Sequence, residues 1–181
     1  MKKRLVLMMA LGFMTLGPSV ALADSGSPSK GRFILGISGG TAVPMDGFGS
    51  SYNIAYAGQL TIGYAVDDNL SFFLASQSCI FQTNILGVDL TEFALVPTVK
   101  YAFGDNSFKP YLTGGMGYNN SIFHVGNSST SQSDFVLQGG AGIQFPLGQK
   151  IDLFVEGKYT HVFASSTVSY LPIRAGVNFD L

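Results

Sequence analysis

Five ionisable residues stand at alternating positions within otherwise apolar segments: Glu92, Lys100, Glu156, Lys158 and Arg174. An unpaired charge away from water is costly, so enclosed charges are expected in pairs. An antiparallel register for the last two segments sets Glu156 opposite Arg174, with Lys158 and Lys100 nearby. We therefore expect a charge network inside the fold, the alternative being side chains that point into water and screen one another. Breaking one partner of an enclosed pair would cost about 3–5 kcal/mol. Other chemistry is sparse. Gly139-Gly140-x-Gly142 looks like a phosphate loop but lacks the following helix and Lys. Asp67-Asp68 reads as a polar turn before it reads as a cation site. A single Cys makes no internal disulfide, and no Cys/His spacing suits zinc. No catalytic residue, metal or cofactor is expected.

The elements that position these residues follow from composition and period. The chain has 181 residues, 46% hydrophobic and only 12% charged, with 23 Gly. Soluble domains carry about 25% charged residues, so an ordinary water-facing surface is hard to build. High hydropathy with low charge also excludes disorder. The formal net charge of −1 leaves no basic excess for a nucleic-acid partner.

Residues 1–23 read as an export signal: Lys2, Lys3 and Arg4 precede an apolar run from Leu5 to Leu16. Gly17-Pro18 breaks the run, and Ala21-Leu22-Ala23 supplies the small-x-small pattern, with cleavage expected between Ala23 and Asp24. The run is too short for a span, which needs about 20 apolar residues. Sec export and a mature domain over 24–181 follow.

The remainder alternates with period two. From Asn53 to Val66 one parity is Ile54, Tyr56, Gly58, Leu60, Ile62, Tyr64 and Val66, and the other is small or polar. Segments 92–103, 134–145, 151–160 and 171–181 repeat the pattern, and 33–41, 70–79 and 108–119 do so more weakly. A helix would repeat every three or four residues. The reading is all-β, with eight strands. Short turns fall at 67–69, 104–107 and 146–150; longer polar loops are expected at about 42–52, 80–90, 120–132 and 161–169. Strands of about 9–11 residues with this asymmetry describe an eight-stranded antiparallel up-and-down transmembrane β-barrel.

The wet face decides between a membrane barrel and a soluble one. A solvated face would be rich in Lys and Glu, yet the polar parity is mostly Gly, Ala, Ser, Thr and Gln. Such residues suit a narrow lumen that side chains just fill. In the five clearest strands every charge falls on that parity, as lipid contact demands, since a cation on a barrel's outer face costs about 2–4 kcal/mol at the midplane. Tyr64, Tyr101, Phe103, Phe145 and Phe179 share the apolar parity near the short-turn ends, where an aromatic girdle belongs. Pro97 and Pro172 each remove a ladder N–H, so a bulge or a water is expected at each.

The chain resembles the small eight-stranded outer-membrane barrels, namely the OmpA membrane domain and the OmpX and opacity-type groups. The carriers are Pro97-x-x-Lys100-Tyr101-x-Phe103-Gly104, Lys109-Pro110-Tyr111-x-x-Gly114-Gly115-x-Gly117-Tyr118 and the closing Leu171-Pro172-x-Arg174-x-Gly176-Val177-Asn178-Phe179. The resemblance implies a Gram-negative outer-membrane location and contact with outer-membrane lipid and lipopolysaccharide. It also implies a closing strand read by the insertion machinery, although Leu181 stands where the family usually ends in an aromatic. A monomer with a structural or surface-interaction role is expected, the long loops meeting an extracellular ligand. A small channel and a loop-mediated adhesin are alternatives. Lipid A deacylases share the architecture and use a His/Ser/Glu set with His and Ser two apart. His161 sits at the outer rim, but position 163 is Phe, Glu156 points inward and Ser165 and Ser166 fall in the loop. No cell-wall tether is carried over. A closed membrane barrel should migrate faster on SDS gels unheated than boiled; identical mobilities would contradict it.

Overall fold

The computed structural model describes residues 31–83, 88–104, 108–126, 128–164 and 168–181. The leader, the Ala23/Asp24 junction, Ser165, Ser166 and most of the 104–107 turn lie outside these residues. Eight strands follow in order: β1 Arg32–Met45, β2 Ala55–Ala65, β3 Leu70–Gln82, β4 Val88–Ala102, β5 Lys109–Val125, β6 Ser128–Pro146, β7 Ile151–Val162 and β8 Val168–Asp180. One short helix, α1 Asp46–Gly49, follows β1. Every strand pairs antiparallel with its sequence neighbour, and β1 pairs with β8, so the sheet closes. No described helix is long and apolar enough to cross a membrane.

The period-two pattern is realised as an inside-out protein. In β2 every residue from Ala55 to Ala65 alternates buried and exposed. Phe33, Leu35, Leu60, Ile62, Leu95, Leu112 and Ile173 face outward, while Glu92, Lys100, Glu156, Lys158 and Arg174 face inward and are nearly fully buried. An outer wall of large apolar side chains is stable only against acyl chains, so the environment, rather than a core, dictates this parity.

Strand bounds depart from expectation at the long-loop end. Within the segments expected as loops at 80–90 and 120–132 the described residues are largely strand, and β5 with β6 forms a hairpin paired from Lys109–Gln144 to Val125–Ser128. Its Ser, Thr and Asn residues read as loop because they are polar. Their backbones pair nevertheless, since each strand continues its neighbour's ladder past the apolar belt. β7 stops sooner, pairing with β6 only as far as Val136–Val162. Ser128–Asp134 therefore rises past it by on the order of 25 Å, at about 3.3 Å per residue.

The two prolines produce no bulge. β4 pairs Leu95 with Tyr118 and Thr98 with Gly115, the same register on both sides of Pro97, so the ladder omits two rungs and resumes. β7 and β8 do likewise between Gly157–Ile173 and Thr160–Tyr170 around Pro172. Each proline keeps its place opposite the other neighbouring strand, at Leu74 and Ala42 respectively. Sheet continuity on one side holds the strand while the other side loses a bond.

The lumen requires small residues at particular points. A Cβ on Gly140 would overlap the backbone of Gly157 and lie 2.7 Å from Lys158 Cα, whereas one on Gly139 would meet nothing within 4 Å. Gly140→Val should thus lose at least the ~1–3 kcal/mol typical of overpacking and deplete the fast-migrating folded band. Gly139→Val, on the lipid side of the same strand, should keep it. Equal loss in both variants would contradict the assigned faces.

Candidate functional site

The inward parity of β4 to β8 brings the lumen's charges together. Glu156 and Arg174 are paired across β7 and β8, and their side chains approach to 3.4 Å. Lys158 reaches the same Glu156 oxygen at 3.0 Å. That oxygen meets no partner in hydrogen-bond geometry, so both contacts are Coulombic rather than aligned bonds. Tyr111 donates to the other Glu156 oxygen at 3.2 Å. Gly142 makes room for this, because a Cβ there would strike the Tyr111 ring.

Polar amides extend the network. Lys100 donates to Gln144 Oε1 at 2.7 Å, and Gln144 Nε2 donates to Asp152 at 2.6 Å. Arg174 donates to Gln77 at 3.3 Å. Lys100 also lies over the rings of Phe73, at 5.2 Å, and Tyr111, at 5.0 Å. A cavity of about 30 Å³ remains among Gln59, Thr61, Lys100, Thr113, Lys158 and Asn178.

Glu92 does not join these charges. It sits nearer the long-hairpin end, where Ser121 donates to it at 2.9 Å and Asn119 also donates to it. Its rungs pair it with Cys79 and Ser121, and among the described residues no cation forms an ion pair with it. Shared parity placed Glu92 inside, but depth along the strand separates it. Beside that polar trio the lumen is filled by apolar side chains: Phe81, Leu90, Val96, Val136, Val162, Val168 and Tyr170 form one buried cluster. α1 closes it from above, with Phe48 packed on Phe81 at 5.0 Å between ring centres. A strand parity read as small or polar throughout misses this cluster. Its signal was present in the apolar residues on the inward parity at the long-loop ends.

On the outer wall the five girdle aromatics are all exposed near the short-turn end. Phe33 packs on Tyr64 at 5.2 Å, Tyr101 on Phe103 at 5.1 Å and Phe108 on Phe145 at 5.6 Å. At the opposite end His161 is the one outward imidazole of β7. Its Nδ1 lies 3.1 Å from Ser169 Oγ on β8, and Tyr159 donates to the same oxygen at 3.1 Å. Ser169 was not singled out from the sequence, because its nearness to His161 arises across strands. It is only 1% exposed, and among the described residues no carboxylate pairs with His161. The Asp67 carboxylate is likewise committed: it accepts the backbone N–H groups of Leu70 at 2.7 Å and Asn69 at 2.8 Å. Those two bonds, that to Leu70 foremost, hold its pKa below the ordinary carboxylate value. Its hold on the turn is therefore present at neutral pH and lost as acid protonates it. Among the described residues no cluster of His, Cys, Asp or Glu suits a metal ion.

A family model described as the outer membrane protein beta-barrel domain matches residues 8–180. No curated protein sequence matches the chain. Among solved structures it is similar to Neisserial surface protein A, with 18% identity over 86% of this chain and 100% of that one and a TM-score of 0.66. Ail of Yersinia pestis, in complex with the heparin analogue sucrose octasulfate, gives 15%, 86%, 100% and 0.52. The outer membrane enzyme PagL gives 17%, 82%, 99% and 0.51. At these identities the likeness is one of fold.

Glu156 is the hub that three partners share, so Glu156→Gln and Arg174→Gln should each destabilise the barrel by about 3–5 kcal/mol. The double variant should cost clearly less than the two together. Urea unfolding in lipid vesicles measures all three, and additive losses would contradict the coupling.

Proposed function

This chain belongs to the outer-membrane β-barrel family, and from that premise we propose that it is a non-conducting barrel acting through its outer wall and exposed hairpins. The family places it in the outer membrane. The observation that carries the rest is the doubly filled lumen: a charged network at one level and the Phe81–Tyr170 apolar cluster at another. An eight-stranded lumen is already just wide enough for its own side chains. Water and solutes would have to displace both fillings to pass.

Taking the short-turn end as periplasmic puts the β5–β6 hairpin outside the cell. Over Ser128–Asp134 the side of β6 turned away from β5 has no strand partner among the described residues, and the segment is exposed almost throughout. An exposed edge of N–H and C=O groups favours pairing with another chain, which supports a surface-interaction role. From residue 32 onward the Lys and Arg residues are Arg32, Lys100, Lys109, Lys150, Lys158 and Arg174, all periplasmic or lumenal in this orientation. The outer crown carries Asp46, Asp89 and Asp134 instead. A polyanion of the kind bound by Ail finds no cationic partner there, so the ligand we propose is neutral or cationic.

The role is non-catalytic in this reading. His161 and Ser169 touch on the lipid-facing wall, but Ser169 is sealed and the pair lacks a carboxylate to orient the imidazole. The girdle residues Tyr64, Tyr101, Phe103, Phe145 and Phe179 are proposed to anchor the barrel at the inner interface, and residues 1–23 to be removed after Ala23 on export through the Sec route. We further propose a monomer in contact with lipopolysaccharide, whose closing strand is read by the insertion machinery. In planar bilayers the purified protein should show no stepwise conductance, and lipid A from expressing cells should keep its acylation. Regular open-channel steps would overturn the closed-lumen reading; shortened acylation would overturn the non-catalytic one.

A further inference from the structure

We infer that the lumen contains a binding site for a small monatomic anion, of chloride size, between Lys100 and Lys158. Both lysines line the cavity of about 30 Å³, and one acidic residue, Glu156, shares its wall. That carboxylate already faces two cations, Lys158 at 3.0 Å and Arg174 at 3.4 Å. Lys100 has only uncharged contacts: the Gln144 amide oxygen and two aromatic faces. The carboxylate of Asp152 lies behind Gln144, one hydrogen bond further away. Three enclosed cations thus share this level with one fully enclosed carboxylate, Glu156, while Asp152 and the Arg32-bound Asp180 are only part-buried.

Enclosed charge of one sign must be compensated or neutralised, and the cost of leaving it is large. The remaining cavity walls supply donors for a negative ion. Thr61, Thr113 and Asn178 line it, face inward and are buried, and none makes another side-chain hydrogen bond among the described residues. Two lysines with hydroxyl and amide donors around a small enclosed-lumen cavity form a halide site by chemistry. The volume sets the class of ion. A water needs about 10–15 Å³ measured in this way, so the space holds one halide with a water, and is too small for phosphate or an organic acid.

The test uses the folded barrel in detergent at fixed sodium concentration, with chloride exchanged for gluconate, which is too bulky for the cavity. Thermal unfolding followed by far-ultraviolet circular dichroism should show a midpoint higher in chloride, rising by roughly 3–5 °C per tenfold increase above the dissociation constant. Lys100→Met should lose this dependence, and Asp68→Asn, in a remote turn, should keep it. Equal midpoints in the two salts, or a chloride effect that survives Lys100→Met unchanged, would overturn the site. Should Lys100→Met not fold, crystals of the unaltered protein grown in bromide decide: an anomalous peak between Lys100 and Lys158 supports the site, and its absence from the cavity refutes it.

Discussion

A backbone amide in hydrocarbon has no water to bond, so each must find its partner within the sheet. That requirement governs the rest of this molecule. It forces β8 back onto β1, a seam carried from Ile34–Asp180 to Met45–Ser169 and pinned by the Arg32–Asp180 ion pair at 3.2 Å. Closure fixes which parity faces inward. The inward parity must then fill a tube barely wider than its own side chains, while the outward parity needs only to be apolar. Gly40 shows how tight the fit is: a Cβ there would overlap the Ile173 carbonyl.

The tube is filled in two ways, and the difference follows from what each filling demands of its neighbours. Charges in the lower lumen are stable only as a set, since Glu156 answers Lys158, Arg174 and Tyr111 together. Apolar side chains in the upper lumen need no partners and tolerate the lidding of α1, where Phe48, Tyr52 and Phe81 stack edge to face or tilted. Buried ion pairs contribute little net stability against apolar packing. The charges therefore specify register more than they stabilise. A slip of one residue between β7 and β8 would turn either Glu156 or Arg174 toward lipid.

Sequence reading reached the barrel, its strand number and the Glu156–Arg174 register, because all three follow from the two-residue period of the clearest strands and the antiparallel pairing it implies. It failed where period carries no information. Depth along a strand separated Glu92 from the other charges. Composition mistook the polar rungs of β5 and β6 for loop, although hydrogen bonding there depends on the neighbouring strand and not on hydropathy. Ser169 escaped notice because its partner lies across the sheet from it. Pro97 and Pro172 suggested a bulge or a water because each removes a ladder N–H where a closed barrel has no free edge. A strand flanked on both sides can lose rungs on one side and keep its register through the other.

The same rigidity bears on where the molecule can change. Lumenal residues are held by the closed sheet, so the interior has little freedom to change its conformation. The hairpin of β5 and β6 is different. β4 supports it to the tip through Val88–Val125, while its far edge rises past β7 with no neighbour among the described residues. One flank is therefore ordered and the other unsatisfied. A strand edge presented on an ordered support offers preformed backbone geometry, so a partner that pairs with it pays little to order it. Its Ser, Thr and Gln side chains keep the edge hydrated until then, which a row of apolar residues would not. A barrel shut from within thus presents its unsatisfied groups at its rim, where a second chain can reach them.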